Sequence, residues 1–228
     1  MKLPEKEELH DIISPLNKAF RNTNLFFEVG EIMRLESKLK LEDLSENSFG
    51  LYDDFSEEHD LGNRITVYVL QHRDEFCNIS NNSISCGRTG GFSYILSEIT
   101  NNIVMSEFDL KDQKILTHEF GHFFGLYHAF EEHLFGKDSF DEEECYLTGD
   151  RLCDTPPDPG ALYEIYVNYS TCEMIGFKDT NGNEYKPKLE NYMSYYKPCY
   201  LKEYSFTKEQ EMIMQLAGQL PFRKRLSR

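Results

Sequence analysis

The sequence predicts an α+β fold that is regular in its first half and loop-rich in its second, and three observations predict it. A helix-period segment is followed by short strand-like runs and then by a second helix. Pro156, Pro157, Pro159 and four of the six cysteines all fall after residue 129, where sustained periodicity is lost. A last capped helix starts near residue 207.

Residues 5 to 21 carry Leu9, Ile12, Ile13, Leu16 and Phe20 at spacings of three and four among charged residues, so one apolar stripe runs along an amphipathic helix that Pro15 is placed to kink. Such a stripe needs a sheet to lie against. Leu25 to Ile32, Ile65 to Leu70, Phe92 to Ser97 and the shorter Ile103 to Met105 are rich in aromatic and β-branched residues and bounded by Gly, Asn or Asp, which reads as strands. The acidic stretch from Glu42 to Asp60 has the composition of a surface insertion. Asp112 is placed to cap a helix through Ile115, Leu116, His118 and His122, and Gly125 to end it. Residues 129 to 206 read as irregular and disulfide-stapled. Thr207 and Gln210 spell a capping box for a final helix through Met212, Ile213 and Leu216, after which Arg223, Lys224 and Arg225 form a solvated end.

The 228 residues include 24 Lys plus Arg against 40 Asp plus Glu, a formal charge of -16, which argues against nucleic acid or an anionic membrane as partner. No apolar run approaches the roughly 18 to 20 residues of a membrane span, and the mean hydropathy is -0.57. Cys77, Cys86, Cys145, Cys153, Cys172 and Cys199 form an even set without a C-x-x-C pair, so disulfides and an oxidising compartment are expected. Met1 to Glu5 lacks the apolar core of a signal peptide. A secreted or extracytoplasmic chain in mature or trimmed form reconciles the two, with a cytosolic protein of reduced cysteines as the alternative.

The chemistry is concentrated in His118-Glu119-Phe120-Gly121-His122-Phe123-Phe124-Gly125-Leu126-Tyr127-His128, which satisfies H-E-x-x-H-x-x-G-x-x-H at every defined position. Histidines four apart on a helix project from one face on successive turns, so both reach one ion. Gly125 permits the positive φ that swings His128 back as a third ligand, and three protein ligands leave zinc an open position for water. Glu119 is then the expected general base. The plain alternative is a set of partly buried histidines on an aromatic-rich helix, but three of the chain's seven histidines fall within this string with the glycine in register.

Downstream, Asn191-Tyr192-Met193-Ser194-Tyr195 resembles the methionine turn that follows the zinc helix in metzincins; the resemblance implies that Met193 lies as an apolar floor beneath the metal without ligating it, although a methionine alone is more often core filling. The same resemblance implies that Tyr195, two residues on, lies beside the metal as in those metzincins that carry a tyrosine there and donates a hydrogen bond to a developing oxyanion, with core packing as its rival role.

These strings, together with Gly149-Asp150-Arg151-Leu152-Cys153-Asp154-Thr155-Pro156, Ala129-Phe130 after the third histidine and Phe206-Thr207-x-x-Gln210, resemble the pappalysin family of metzincin zinc peptidases, in particular its ulilysin-like microbial members, over about residues 8 to 216. The resemblance implies one metallopeptidase domain over 1–228. Its upper subdomain, about 1–127, would hold a twisted mixed sheet, a backing helix and the zinc helix; its lower one, about 128–228, would be irregular and end in a helix. It further implies hydrolysis of protein or peptide substrates bound extended along the edge strand near Gly91 to Leu96. Asp150 and Thr155, with Asp154, become candidate calcium ligands, turn capping being the alternative. Family pattern pairs Cys145 with Cys172 and Cys153 with Cys199, while Cys77 and Cys86 staple the loop before the edge strand. This chain departs from the family in having only Met1 to Pro4 ahead of the first helix, Ala129 in a usually polar position, Pro198 where some members carry an acidic residue, and no upstream cysteine segment that would mask the zinc. The expected function is therefore a zinc-dependent endopeptidase, and its rivals are an inactive zinc-binding interaction module of the same fold and a zinc hydrolase acting on something other than protein.

Overall fold

The computed structural model describes residues 6–35, 59, 61–71, 90–98, 100–199 and 201–226, together with the backbone of 77–80 and 83–86. Helix α1 (Lys6–Ala19) forms where the apolar stripe predicts it, with Glu7 and Glu8 in its first turn and Lys18 in its last, each sign matching the helix dipole. It includes Pro15. Ile12, Leu16 and Phe20 are buried.

Strands β1 (Thr66–Leu70), β4 (Gly91–Ser93) and β5 (Asn102–Ser106) make a mixed sheet in the order β1-β5-β4, with β5 parallel to β1 and antiparallel to β4. All five residues of central β5 are buried. Successive side chains of a strand point to opposite faces. Ile103 and Met105 therefore join the helices, while Val104 joins Tyr68 and Leu70 on the other face. The hairpin of β2 (Cys77–Ser80) and β3 (Ser83–Cys86) sets the backbones of Cys77 and Cys86 opposite one another; the disulfide expected there lies outside the described side chains.

The main core gathers around Phe20, whose ring meets Phe27 at 5.2 Å, Phe206 at 5.4 Å and Phe124 at 6.0 Å. Burying one such ring stabilises the fold by roughly 2 to 3 kcal/mol. Helix α2 (Gln113–Phe123) adds Leu116, Phe120 and Phe123, and helix α3 (Lys208–Gly218) adds Met214 and Ala217. The Thr207–Gln210 capping box is formed in both directions. A separate cluster of Met174, Tyr185, Leu189 and Tyr196 supports the irregular half, which contains a 3-10 turn (Ala161–Tyr166) and the short hairpin of β6 (Val167–Asn168) and β7 (Glu173–Met174).

Four expectations need correction. Leu25 to Ile32 is not a strand, because the Asn17 side chain takes the place of a ladder: its Nδ2 donates to Phe27 O (2.9 Å) and its Oδ1 accepts from Phe27 N (2.8 Å). The edge run ends at Ser93 rather than Ser97, since the chain turns at Leu96, whose φ is +49°. Cys145 is bonded to Cys153 and Cys172 to Cys199, at Cα separations of 5.1 and 5.8 Å that suit disulfides; each sulfur is thereby used, which excludes the family-style pairing. Arg223 is not solvated: it lies in helix α4 (Pro221–Lys224) at 3% exposure and donates to Thr100 O, Asn101 Oδ1 and Phe123 O, with its guanidinium 3.6 Å above the Phe123 ring. The acidic stretch Glu42 to Asp60 lies outside the described residues except for His59.

Candidate metal centre

Helix α2 opens with Asp112 accepting from Lys114 N and Ile115 N, so its first turn is fixed before any histidine is reached. It closes in a Schellman turn: Leu126 N donates to Gly121 O and Gly125 N to His122 O, with Gly125 at φ +96°. The reversal carries the chain back along the helix, and His128 meets His118 and His122. Their ligand nitrogens lie within 4.8 Å of one another, the one such cluster of three or more His, Cys, Asp or Glu among the described residues.

The proton positions follow from the neighbours. His118 Nδ1 is 2.7 Å from Tyr192 O and His122 Nδ1 is 2.7 Å from Leu126 O; a carbonyl only accepts, so each proton sits on Nδ1. Both Nε2 lone pairs therefore face inward, 3.0 Å apart, and His128 Nε2 is 3.1 Å from His122 Nε2. Burial holds His118 well below the usual imidazole range, helped by His122 and His128, and lowers His122 and His128 to about 4. Neutral nitrogens crowded together with no proton between them repel unless a cation lies among them. The donor set fits a borderline-soft divalent ion with an open coordination position.

Glu119 is 5% exposed, its Oε2 has no partner, and burial raises its carboxyl to about 8. It lies against the edge strand: a Cβ at Gly91 would stand 3.1 Å from Glu119 Cγ and 2.8 Å from Val104 O. Tyr195, half exposed, brings its hydroxyl to 2.9 Å from His128 Nε2, and burial of the phenol with Glu119 nearby raises it to about 12, so it remains a donor. Met193 is fully buried beneath α2. Its N–H donates to Asn191 Oδ1, its carbonyl accepts from Ala129 N, and its Sδ would stand 2.5 Å from a Cβ at Gly121.

Asp150 and Thr155 lie apart from this centre, 3% and 4% exposed. Asp138 Oδ2, Asp150 Oδ2, Asp154 Oδ1 and Thr155 Oγ1 are buried without hydrogen-bond partners. Burial raises Asp150 to about 8 and Asp138 to about 7, and each is raised further by a nearby carboxylate, Asp138 for Asp150 and Asp158 for Asp138.

Two supporting residues have no role assigned from the motif: Lys114, which the sequence does not single out, and Phe130, which enters only as part of the family resemblance. Lys114 Nζ donates to Tyr196 O at 2.5 Å, and burial lowers its ammonium to about 8. A cation in the first turn of a helix opposes the dipole, which is the local sign that this lysine has a tertiary partner. Phe130 stacks on His128 at 4.8 Å and 11° and touches Tyr195 at the same centroid distance.

A model of the M43 peptidases, described as pregnancy-associated plasma protein-A, matches residues 65–217. No curated protein matches the chain. Among solved structures, mature mirolysin of Tannerella forsythia in complex with a cleaved peptide aligns with a TM-score of 0.58 and 16% identity, over 98% of this chain and 88% of that chain. At that identity the likeness shows a shared fold. The family match runs from the sheet through the histidine centre and the methionine turn to the end of α3, and on it the chain belongs to the pappalysin, or M43, family of metallopeptidases.

Proposed function

We propose that this metallopeptidase is a zinc-dependent endopeptidase, with His118, His122 and His128 as the ligands and Glu119 as the general base. The observation that carries the reading is the convergence of three imidazole nitrogens beside a buried carboxylate whose Oε2 has no partner among the described residues. When bound, zinc supplies Lewis acidity that makes water a better nucleophile and the scissile carbonyl a better electrophile.

The chain's own residues do the rest. Glu119 accepts the proton of the attacking water and returns it to the leaving amine. Tyr195 donates its phenolic hydrogen to the carbonyl oxygen as that atom gains charge. The backbone carbonyls of Tyr192 and Leu126 keep the ligand tautomers fixed throughout. Substrate pairs in extended form with β4, whose close approach to Glu119 depends on Gly91.

The core around Phe20 draws on Met193, Phe206 and Met214 as well as α1 and α2, which supports a single catalytic domain divided near residue 127. Asp150 and Thr155 are the proposed calcium ligands, supported by their buried, unpartnered oxygens. Two disulfides support a secreted location, and no helix among the described residues is long and apolar enough to cross a membrane.

Glu119→Gln is the test. The variant should hold one zinc per chain and cleave casein at least a thousandfold more slowly. Full cleavage by it refutes the base assignment, and a zinc-loaded wild type that cuts no peptide favours the inactive binding module.

A further inference from the structure

One buried carboxylate is not used by the proposed chemistry. Asp158 is 6% exposed and accepts three hydrogen bonds, from Ser194 Oγ (2.6 Å), Tyr196 OH (2.7 Å) and Gly160 N (2.8 Å). The bond to Gly160 only tightens a local turn. The other two come from residues 36 and 38 positions downstream, and they are the two neighbours of Tyr195.

This matters because Tyr195 is 55% exposed. Phe130, His128 and His118 touch the ring but leave much of it open, so its aim toward His128 also depends on the backbone that carries it. Ser194 is tied on one side of it and Tyr196 on the other, and Lys114 grips the carbonyl of Tyr196 from the first turn of α2. The same carboxylate braces a ligand. Gly160, at φ +85°, faces Phe130, and a Cβ there would lie in ordinary van der Waals contact with its side chain at 3.6 Å; Phe130 in turn stacks on His128. Tyr196 OH also lies 3.2 Å from Gly160 O and shares its one hydrogen between that carbonyl and Asp158 Oδ1, closing the loop between the two arms.

We propose that Asp158 is a positioning residue of the active site, whose carboxylate holds Tyr195 through Ser194 and Tyr196 and the His128 ring through Gly160 and Phe130. It touches neither substrate nor metal. Its effect on catalysis passes through Tyr195, and its effect on metal binding passes through His128. This rests on the peptidase reading above.

The experiment is a double-mutant cycle on the full zinc-loaded chain, using an internally quenched peptide built on the bond cut fastest in casein. Asp158→Ala should lower kcat about tenfold or more with KM changed less than about twofold. In a Tyr195→Phe background the same change should cost less than about threefold. Asp158→Asn keeps both acceptor contacts of Oδ1 and can donate to Ser194 Oγ, so it should restore kcat to within about threefold of wild type. Zinc affinity, read by chelator competition, should weaken several-fold in Asp158→Ala and recover in Asp158→Asn. Should Asp158→Ala fail to fold, Ser194→Ala with Tyr196→Phe takes its place in the cycle.

An undiminished penalty in the Tyr195→Phe background, or an Asn variant as impaired as Ala, overturns the positioning role while wild-type cleavage leaves the peptidase reading intact. A wild type that cuts nothing removes that reading instead. The chelator competition then decides alone, and equal zinc affinity in all variants overturns the brace on His128.

Discussion

Substituting Gly121 by alanine tests how closely the histidine helix rests on the methionine turn. The new Cβ would stand 2.5 Å from Met193 Sδ, 3.3 Å from Met193 Cε and 3.5 Å from Leu126 Cδ1. Carbon atoms in contact settle near 3.5 to 4.0 Å, so the thioether must move by about 1 Å. It has little room: Met193 is fully buried, and its turn is pinned by Asn191 and by Ala129 N. Overpacking of this kind costs about 1 to 3 kcal/mol. Alanine in a helix interior returns about 1 kcal/mol relative to glycine. The net expectation is destabilisation by roughly 1 kcal/mol, or about 2 to 4 °C in Tm for a chain of this size. Met193→Ala alone, which empties a fully buried site, should cost about 2 to 5 kcal/mol. Combined, the two should cost at least about 1 kcal/mol less than the sum, because the added methyl occupies vacated space. Thermal and urea unfolding of the zinc-loaded variants, followed by circular dichroism, provide the measurement. A Gly121→Ala protein with unchanged or higher Tm, or strictly additive effects, would falsify the contact.

Other perturbations separate the remaining roles. Arg223→Ala leaves Thr100 O, Asn101 Oδ1 and Phe123 O without their donor and should destabilise by about 2 to 4 kcal/mol in urea unfolding, whereas exposed Arg225→Ala should cost under about 0.5 kcal/mol; equal costs contradict the clamp. Gly91→Ala should lower kcat/KM at least about tenfold on a quenched peptide, because the new Cβ strikes Val104 O and crowds Glu119, and wild-type kinetics would show that β4 does not abut the base. With calcium chelated, Tm should fall as pH rises from about 4 to about 8: Asp138 and Asp150 ionise near 3.8 when unfolded but are raised to about 7 and about 8 in the fold, so the unfolded chain binds fewer protons across that window. Calcium should flatten this slope, Asp150→Asn should reduce it, and a slope indifferent to both removes the site.

The histidine centre was legible because every requirement for it is local: a four-residue helical repeat, a capping aspartate and a glycine for positive φ. The Thr207–Gln210 capping box was legible for the same reason. Leu25 to Ile32 misled because its apolar content matches a strand, while the side chain that satisfies Phe27 sits ten residues upstream on α1. Arg223 misled because charge predicts exposure only until an aromatic ring and three acceptors are brought to it by the fold. The disulfide pairing was not legible: six cysteines leave the choice open, family analogy pointed to Cys145–Cys172 and Cys153–Cys199, and the fold closes Cys145 on the nearer Cys153 instead. Asp158 carried no motif at all; an aspartate between Pro157 and Pro159, followed by Gly160, looks like any surface turn until Ser194 and Tyr196 are folded onto it.

The Cys172–Cys199 bridge joins residues 27 positions apart and so makes a closed covalent circle of the segment that bears Met193 and Tyr195. The circle includes an exposed turn, Thr180 to Glu184, that invites self-digestion in a concentrated peptidase. A cut there severs the main chain without releasing a fragment, and the turn beneath the histidines keeps its anchors on both sides. Nicked enzyme should thus migrate as one band until a reductant is added, and it should go on cutting.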